Sequence, residues 1–304
     1  MAAKDSAAKE EIRVDVDGRT LKISNLAKVL YPRTGTTKGE VLNYYAQVSP
    51  VLLPHLKDRC VTRIRWPHGV SDGSFFEKNI PGGTPSWVRT AKVPTTGSRA
   101  QSTSDTLVFP IVDDLATLTW LANLAALELH VHQWTVGKNG RPRNADRLVI
   151  DLDPGEPAGL HECCQVALMV RDKLAERGLG AKPVTSGSKG LHLYADLPKR
   201  LPSDESSALA KEVAEELQGE HPKLVTATMT KARRSGKVFL DWSQNAGSKT
   251  TISPYSLRGR ERPTVATPVS WAEVEAGADD PDGLGQFGFE EVLERVADLG
   301  DLFA

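Results

Sequence analysis

The sequence predicts an α/β protein of the α+β kind, with mixed sheets and helices packed on them, not a doubly wound parallel sheet. Three observations carry this. Strand-like and helix-like segments alternate, but irregularly. A hairpin signal, Asp17-Gly18, sits between the alternating pairs Val14/Val16 and Leu21/Ile23, and such tight turns join antiparallel strands. Two apolar runs with high β propensity, Arg147–Asp153 and Lys237–Trp242, each carry aspartate at or near their ends.

Taken in order, residues 1–12 read as a mobile tail, and Arg13–Ser24 as the hairpin. Thr37-Lys38-Gly39-Glu40 is a capping box opening a helix to about Val51, with Val41, Tyr44, Tyr45 and Val48 on one face. Cys60–Trp66 is strand-like. Pro81–Arg99 is rich in Pro, Gly, Thr and Ser and reads as loop, with polar sequence continuing to Ser104. Leu115–Leu129 is expected as a mostly buried helix and His130–Val136 as a strand, followed by a polar loop over Lys138–Asp146. After the aspartate strand, Pro154-Gly155 is a stop, and a helix over His161–Arg177 ends at Gly178, a residue suited to the left-handed position past a C-terminus. Lys182–Thr185 and Leu191–Ala195 are strands flanking Ser186-Gly187-Ser188-Lys189-Gly190. Ser203 opens a helix through Leu217; strands near Val225–Met229 and Val238–Trp242 and a last helix over Phe289–Leu299 complete the pattern.

With 304 residues, 39% hydrophobic and 25% charged, the chain can hold one large domain or two closely packed ones. A net charge of −1 gives no global signature for nucleic acid. The local distribution differs: between Lys231 and Arg262 stand eight Lys or Arg against two acids, Asp241 and Glu261, which suggests a polyanionic substrate. Three cysteines without a Cys-x-x-Cys pair give no zinc site and fit a reducing cytoplasm; Cys163 falls on the apolar stripe of its helix. No apolar core marks a signal peptide in Met1–Ile12, and Leu115–Leu129 is too short to span a bilayer, so no membrane role is expected.

Side chains alternate between the faces of a strand, so Asp151 and Asp153 point one way while Ile150 and Leu152 point to a core. Two carboxylates held together repel unless a cation separates them, and hard oxygen donors suit Mg²⁺ or Mn²⁺. An Asp-x-Asp near a turn is commonly just solvated. Asp241, at the end of a second strand, makes a third carboxylate, and such a set can hold two divalent ions for phosphoryl or nucleotidyl transfer. The Ser186–Gly190 turn can form an anion nest, with Lys189 adding charge, although alone it reads as a plain hairpin turn and it is not a Walker A loop. His130 can donate to a phosphate oxygen, and Arg258 can compensate a leaving pyrophosphate. Phe75-Phe76 offers an aromatic for base stacking, though burial is the usual fate of such a pair. Lys28 and Lys38 flank a helix start, and Lys38 lies in its first turn, where a phosphate is favoured. These residues leave a nucleotidyltransferase, a metal-dependent nuclease, a non-catalytic end-binding module and a glycosyltransferase open. A triphosphate grip favours the first, because a nuclease has no pyrophosphate to hold.

The runs RLVIDLDPGE from Arg147, PVTSGSKGLHLY from Pro183, SFFEKN from Ser74 and TMTKARRSGKVFLDWSQNAGSKTTISPYSLRGR from Thr228 resemble the polymerase domain of bacterial ligase D, within the archaeo-eukaryotic primase superfamily. The likeness runs from about Val14 to Leu299. It implies a primase-polymerase fold over 13–304, with an RRM-like catalytic sheet at about 126–304 and a second, DNA-contacting α/β part at about 13–125. It implies template-dependent addition of NTPs or dNTPs to DNA primer ends and short gaps in non-homologous end joining, in a bacterial, nucleoid-associated setting. By that resemblance Asp151, Asp153 and Asp241 bind two Mn²⁺ or Mg²⁺ ions, and Asp241 helps activate the primer hydroxyl. His130, Ser186, Gly187, Ser188, Lys189 and Arg258 hold the triphosphate, with Gln244 nearby. Phe75 and Phe76 contact the incoming base and the templating strand. Lys28 and Lys38 grip a downstream 5′-phosphate with Arg65 close by, and Arg234 lies in a mobile loop at the primer. The implied partners are gapped or broken DNA carrying a 5′-phosphate, and Ku and a separate DNA ligase. Pro85–Thr106 is long for the family's DNA-docking loop, and the ligase and phosphoesterase modules are not in this sequence.

Overall fold

A computed structural model describes residues 11–94 and 106–304. Most of the expected tail and the tip of the Pro85–Thr106 loop lie outside the described residues. Glu11 and Ile12, expected in the tail, already belong to the strand Glu11–Val16, whose hairpin with Arg19–Ser24 turns through Asp17 and Gly18, both at positive φ.

Two sheets frame the molecule. The larger has seven strands in the path Val225–Thr226, Val238–Asp241, Pro142–Pro154, Leu191–Leu201, Ala181–Thr185 and Thr267–Pro268, with Trp134–Val136 pairing separately along Pro142–Pro154. Only Val225–Thr226 runs parallel to its neighbour, so the sheet is mixed. The smaller sheet orders Thr251–Ile252, Ala126–Val131, Val61–Arg65 and Phe75–Glu77.

The period of two sorts the central strand between two cores. Leu148, Ile150 and Leu152 pack on Val166, Val170 and Leu174 of the helix Leu160–Glu176 and on Val213 and Leu217 of the helix Ser203–Glu220. Val149 and Tyr194 point the other way, into the core built by Tyr44, Tyr45, Leu127 and Leu129. Asp151 and Asp153 continue that second face past the end of the apolar packing. Cys163 and Cys164 are both free and buried. Among the described residues no helix is long and apolar enough to cross a membrane.

Several elements depart from the sequence reading. The helix expected over Leu115–Leu129 ends at Asn123, Ala125 takes a positive φ, and Ala126–Val131 is a strand. This strand is central and covered on both faces, so it shows no alternation that would separate it from a buried helix. The Thr37 helix continues to Leu56 through Pro50 and Pro54, because Val48, Leu52 and Leu56 bury its last turns. The expected loop Lys138–Asp146 becomes strand from Pro142, and the strand expected to end at Ala195 runs to Leu201. Within the expected loop after Pro81, Thr90–Pro94 pairs with Thr106–Pro110. The helix Trp271–Asp279 was not expected, although Ser270 and Glu273 form a capping box at its start.

Candidate active site

The strand Val238–Asp241 lies antiparallel to Pro142–Pro154 with Asp241 directly opposite Asp151. Residues paired in this way share a face, so Asp151, Asp153 and Asp241 all stand on the face turned from the Leu152 core. On the other flank His192 is opposite Asp151, and its Nε2 lies 3.1 Å from Asp151 Oδ1. Asp241 caps the short turn Trp242–Asn245: its Oδ1 accepts from the Ser243 amide and hydroxyl, and its Oδ2 accepts from Gln244 Nε2 at 2.9 Å. Asp153 is pushed up to about 6, by burial first and then by the negative charges of Asp151 and Asp241, with His192 and Arg234 pulling the other way.

A carboxyl group with that displacement reports an excess of negative charge in a partly dry place. An all-oxygen set of this kind fits a hard divalent cation in donor chemistry. Among the described residues no three His, Cys, Asp or Glu side chains are arranged to hold a metal as they stand. Asp151 leans on His192, and Asp241 is turned to Ser243 and Gln244.

Beside the carboxylates opens a cleft of about 680 Å³ lined by Asp151, Asp153, His130, Ser186, Lys189 and Arg258, with Ser188, Gln244 and Arg234 also on its wall. These residues come from both sheets and from four connections between strands. His130 stands inside the strand Ala126–Val131, not at a helix end as expected, and its neighbour across the sheet is Ile252.

The Ser186–Gly190 turn differs from the expected anion nest. The Ser188 and Gly190 amides both donate to Ser186 Oγ, at 3.2 and 3.1 Å, so the hydroxyl of the turn's own serine satisfies them. Gly187 does not line the cleft. It has φ +66°, and a Cβ there would stand 2.6 Å from Arg258 Cγ and 2.8 Å from the Val265 carbonyl oxygen. Its part is to let the turn close against the arginine stem. Lys189 reaches the exposed Glu156 at 2.7 Å.

Arg234 stacks on Phe239, its guanidinium 3.5 Å from the ring centroid, and donates to the Met229 carbonyl. Its loop is seated on Gly155, which donates to the Lys237 carbonyl and accepts from the Gly236 amide. A Cβ on Gly155 would stand 2.0 Å from the Arg234 carbonyl oxygen. Gly155→Ala should therefore cost about 1–3 kcal/mol through forced backbone movement. Urea denaturation checks this, and an unchanged midpoint would show that the loop yields freely.

Lys28, Lys38 and Arg65 line a second, smaller pocket of about 180 Å³ whose lining includes no carboxylate. Lys38 Nζ donates to the Ser24 carbonyl at 2.6 Å, and its ammonium is lowered to about 8 by burial and then by the charge of Lys28. Arg65 is held by the Leu124 carbonyl and by Glu77. Phe75 and Phe76 line neither pocket. They lie on the edge strand of the smaller sheet, 53% and 57% exposed, so both escape burial.

Sequence reasoning gave no role to His192, Glu156, Lys231 or Arg260, all of which line the cleft. Lys231 and Arg260 were visible within the basic stripe. His192 had a legible signal too, since it stands two residues from Tyr194 on a strand and so shares its face.

A family model described as LigD, primase-polymerase domain matches residues 37–303. The chain is 50% identical over 285 residues to the multifunctional non-homologous end joining DNA repair protein LigD of Mycobacterium tuberculosis, covering 92% of this chain and 36% of that protein. It is 34% identical over 281 residues to the bifunctional non-homologous end joining protein LigD of Bacillus subtilis, covering 92% of this chain and 43% of that one. A solved structure, the polymerase domain from Mycobacterium tuberculosis ligase D in complex with DNA, superposes with a TM-score of 0.86 at 50% identity, covering 93% of this chain and 96% of that one. The chain thus spans little more than a third of the mycobacterial relative, and nearly all of the solved domain.

Proposed function

The chain belongs to the LigD primase-polymerase family, and on that premise we propose that it is a DNA-directed nucleotidyltransferase that extends primer ends and fills short gaps with NTPs or dNTPs during end joining. The observation that carries the reading is the placement of Asp151, Asp153 and Asp241 on one face, with Asp151 and Asp153 lining a cleft that also receives His130, Ser186, Lys189 and Arg258. Carboxylates alone suit hydrolysis equally well. The cationic wall facing them suits a triphosphate, whose pyrophosphate must be neutralised as it leaves.

In this reading the three aspartates would hold two Mn²⁺ or Mg²⁺ ions, which supply charge neutralisation at the α-phosphate and acidify the attacking hydroxyl. Asp241, fixed by Ser243 and Gln244, orients the primer 3′-hydroxyl. Arg258, His130 and Lys189 bind the phosphate oxygens. The exposed rings of Phe75 and Phe76 offer stacking surface for the incoming base and the template. Arg234, seated by Gly155 beside Asp153, stands where the primer end would lie.

The second pocket would take the 5′-phosphate at the far side of a gap, through Lys28, Lys38 and Arg65. Lys38 is charged below its crossing at about 8 and neutral above it. Preference for a 5′-phosphate over a 5′-hydroxyl end should therefore weaken between pH 7 and pH 9, by up to about tenfold per pH unit above the crossing. Fluorescence anisotropy with the two gapped duplexes measures this, and a flat profile would remove Lys38 from the role.

The direct test of the activity is a gapped duplex with a 5′-phosphate, labelled nucleotides and Mn²⁺. Growth of the primer supports the reading. Shortening of the primer would identify a nuclease and sink it.

A further inference from the structure

Glu128 does not line the cleft, and none of the roles above uses it. It is 4% exposed on the central strand of the smaller sheet, two residues before His130 and on the same face. An ionised carboxylate so buried costs several kcal/mol unless it is fully paired. Burial does push Glu128 up, but the hydrogen bond from His130, the charge of Arg258 and the Gly259 amide outweigh it and hold the group down at about 2. It is therefore ionised at any working pH.

Two of its three partners share a feature. Oε2 lies 2.7 Å from His130 Nε2 and 3.4 Å from Arg258 Nη1, and Oε1 accepts from the Gly259 amide at 3.0 Å. His130 and Arg258 are two of the cationic or donor groups facing the carboxylates across the cleft. They are 128 positions apart in sequence and both reach this buried oxygen.

The segment carrying Arg258 is fixed by other means. Tyr31 Oη donates to the Arg258 carbonyl at 2.8 Å, and the Arg258 amide donates to the Thr264 carbonyl. Gly259 lies so close to Trp66 that a Cβ would stand 2.2 Å from the indole. Glu128 adds one contact to this backbone, at the Gly259 amide, beside these others, and it is also the shared partner of the guanidinium and the imidazole. Arg258 Nε is buried without a hydrogen-bond partner in the protein.

We propose that Glu128 is the positioning residue of the triphosphate grip, aiming His130 Nδ1 and the free side of Arg258 at the same phosphate group while touching no substrate itself. This rests on the nucleotide-binding reading of the cleft. Preorganised donors bind without first losing rotamer freedom, so removing the carboxylate loosens two groups at once. On this proposal the penalty falls on the phosphates beyond the first.

The experiment titrates the full chain with Mn²⁺ and either a non-hydrolysable ATP analogue or AMP, comparing the parent with Glu128→Gln. The expected result is a Kd for the triphosphate raised at least tenfold, AMP affinity within twofold, and KM raised with kcat changed less than threefold. Equal loss for both nucleotides, or no loss for the triphosphate, would overturn the positioning role. Because Glu128→Gln leaves Arg258 without its counter-charge and can unfold, Arg258→Gln is compared with Arg258→Gln/Glu128→Gln, where no buried charge stands alone. The added change should then cost less than it does in the parent, because only the His130 share of the grip is left to lose; an undiminished tenfold loss in that background would show that Glu128 does not act through Arg258. A parent protein that binds ATP analogue and AMP equally would instead refute the triphosphate reading of the cleft, and this inference with it.

Discussion

Asp151→Ala and Asp241→Ala should each reduce primer extension on a 5′-phosphorylated gap by roughly a thousandfold or more, the scale of losing a preorganised charge at the reacting centre. The same changes should leave the fold intact. Asp151 and Asp241 face each other across two strands with Asp153 alongside, and burial first, then the charges of Asp151 and Asp241, lift Asp153 to about 6. A carboxyl raised in the folded state binds its proton more tightly there than in the unfolded chain. Stability is then highest below its ordinary range near 4 and falls as pH rises through about 6. Deleting the Asp151 charge relieves that loss, so Asp151→Ala should match or exceed the parent at pH 7, by up to about 1 kcal/mol. Denaturation at pH 5 and pH 7 measures the difference, which should nearly vanish at the lower pH. A chelator should abolish extension in the parent, and added Mn²⁺ should restore it. Activity surviving both substitutions would end the three-aspartate account.

Replacing Lys28 and Lys38 together by alanine should erase the preference for a 5′-phosphate end while leaving nucleotide binding in the larger cleft untouched. Two charge-assisted contacts of about 1.5–3 kcal/mol each correspond to a loss of roughly a hundredfold or more in affinity for the phosphorylated gap. Their removal should also flatten the dependence of log affinity on log salt by up to about 2, since each neutralised phosphate contributes close to one unit. Both lysines and Arg65 line one pocket without a carboxylate. A surface lysine pair with no common ligand would show no such joint effect. Unchanged discrimination between phosphorylated and hydroxyl ends would assign the pocket to another purpose.

Much of the frame was written in local pattern. The Asp17-Gly18 turn, the Thr37/Glu40 capping box and the Gly178 stop are local devices, and each appears where the sequence placed it. The face carrying Asp151 and Asp153 follows from period two alone. The Ala126–Leu129 part of the strand Ala126–Val131 was misread as helix because a strand buried on both faces carries no periodic signal, and the error displaced His130 from mid-strand to the junction of a helix and a strand. The Ser186–Gly190 turn was legible as a turn, but nothing in its composition says that Ser186 Oγ takes the amides an anion would have used.

By itself the sequence determined which residue types face each other along single strands, and, through long ordered motifs, the family to which the chain belongs. Tertiary structure alone decided which distant groups meet. Asp241 stands opposite Asp151 because of strand register, Lys28 and Lys38 join Arg65 because a helix start and the end of an interior strand line one pocket, and Glu128 links His130 to Arg258 across 128 residues. The physical reason is the range of the forces. Backbone periodicity acts within a few residues, whereas electrostatic pairing in a buried place depends on which segments the two cores bring together.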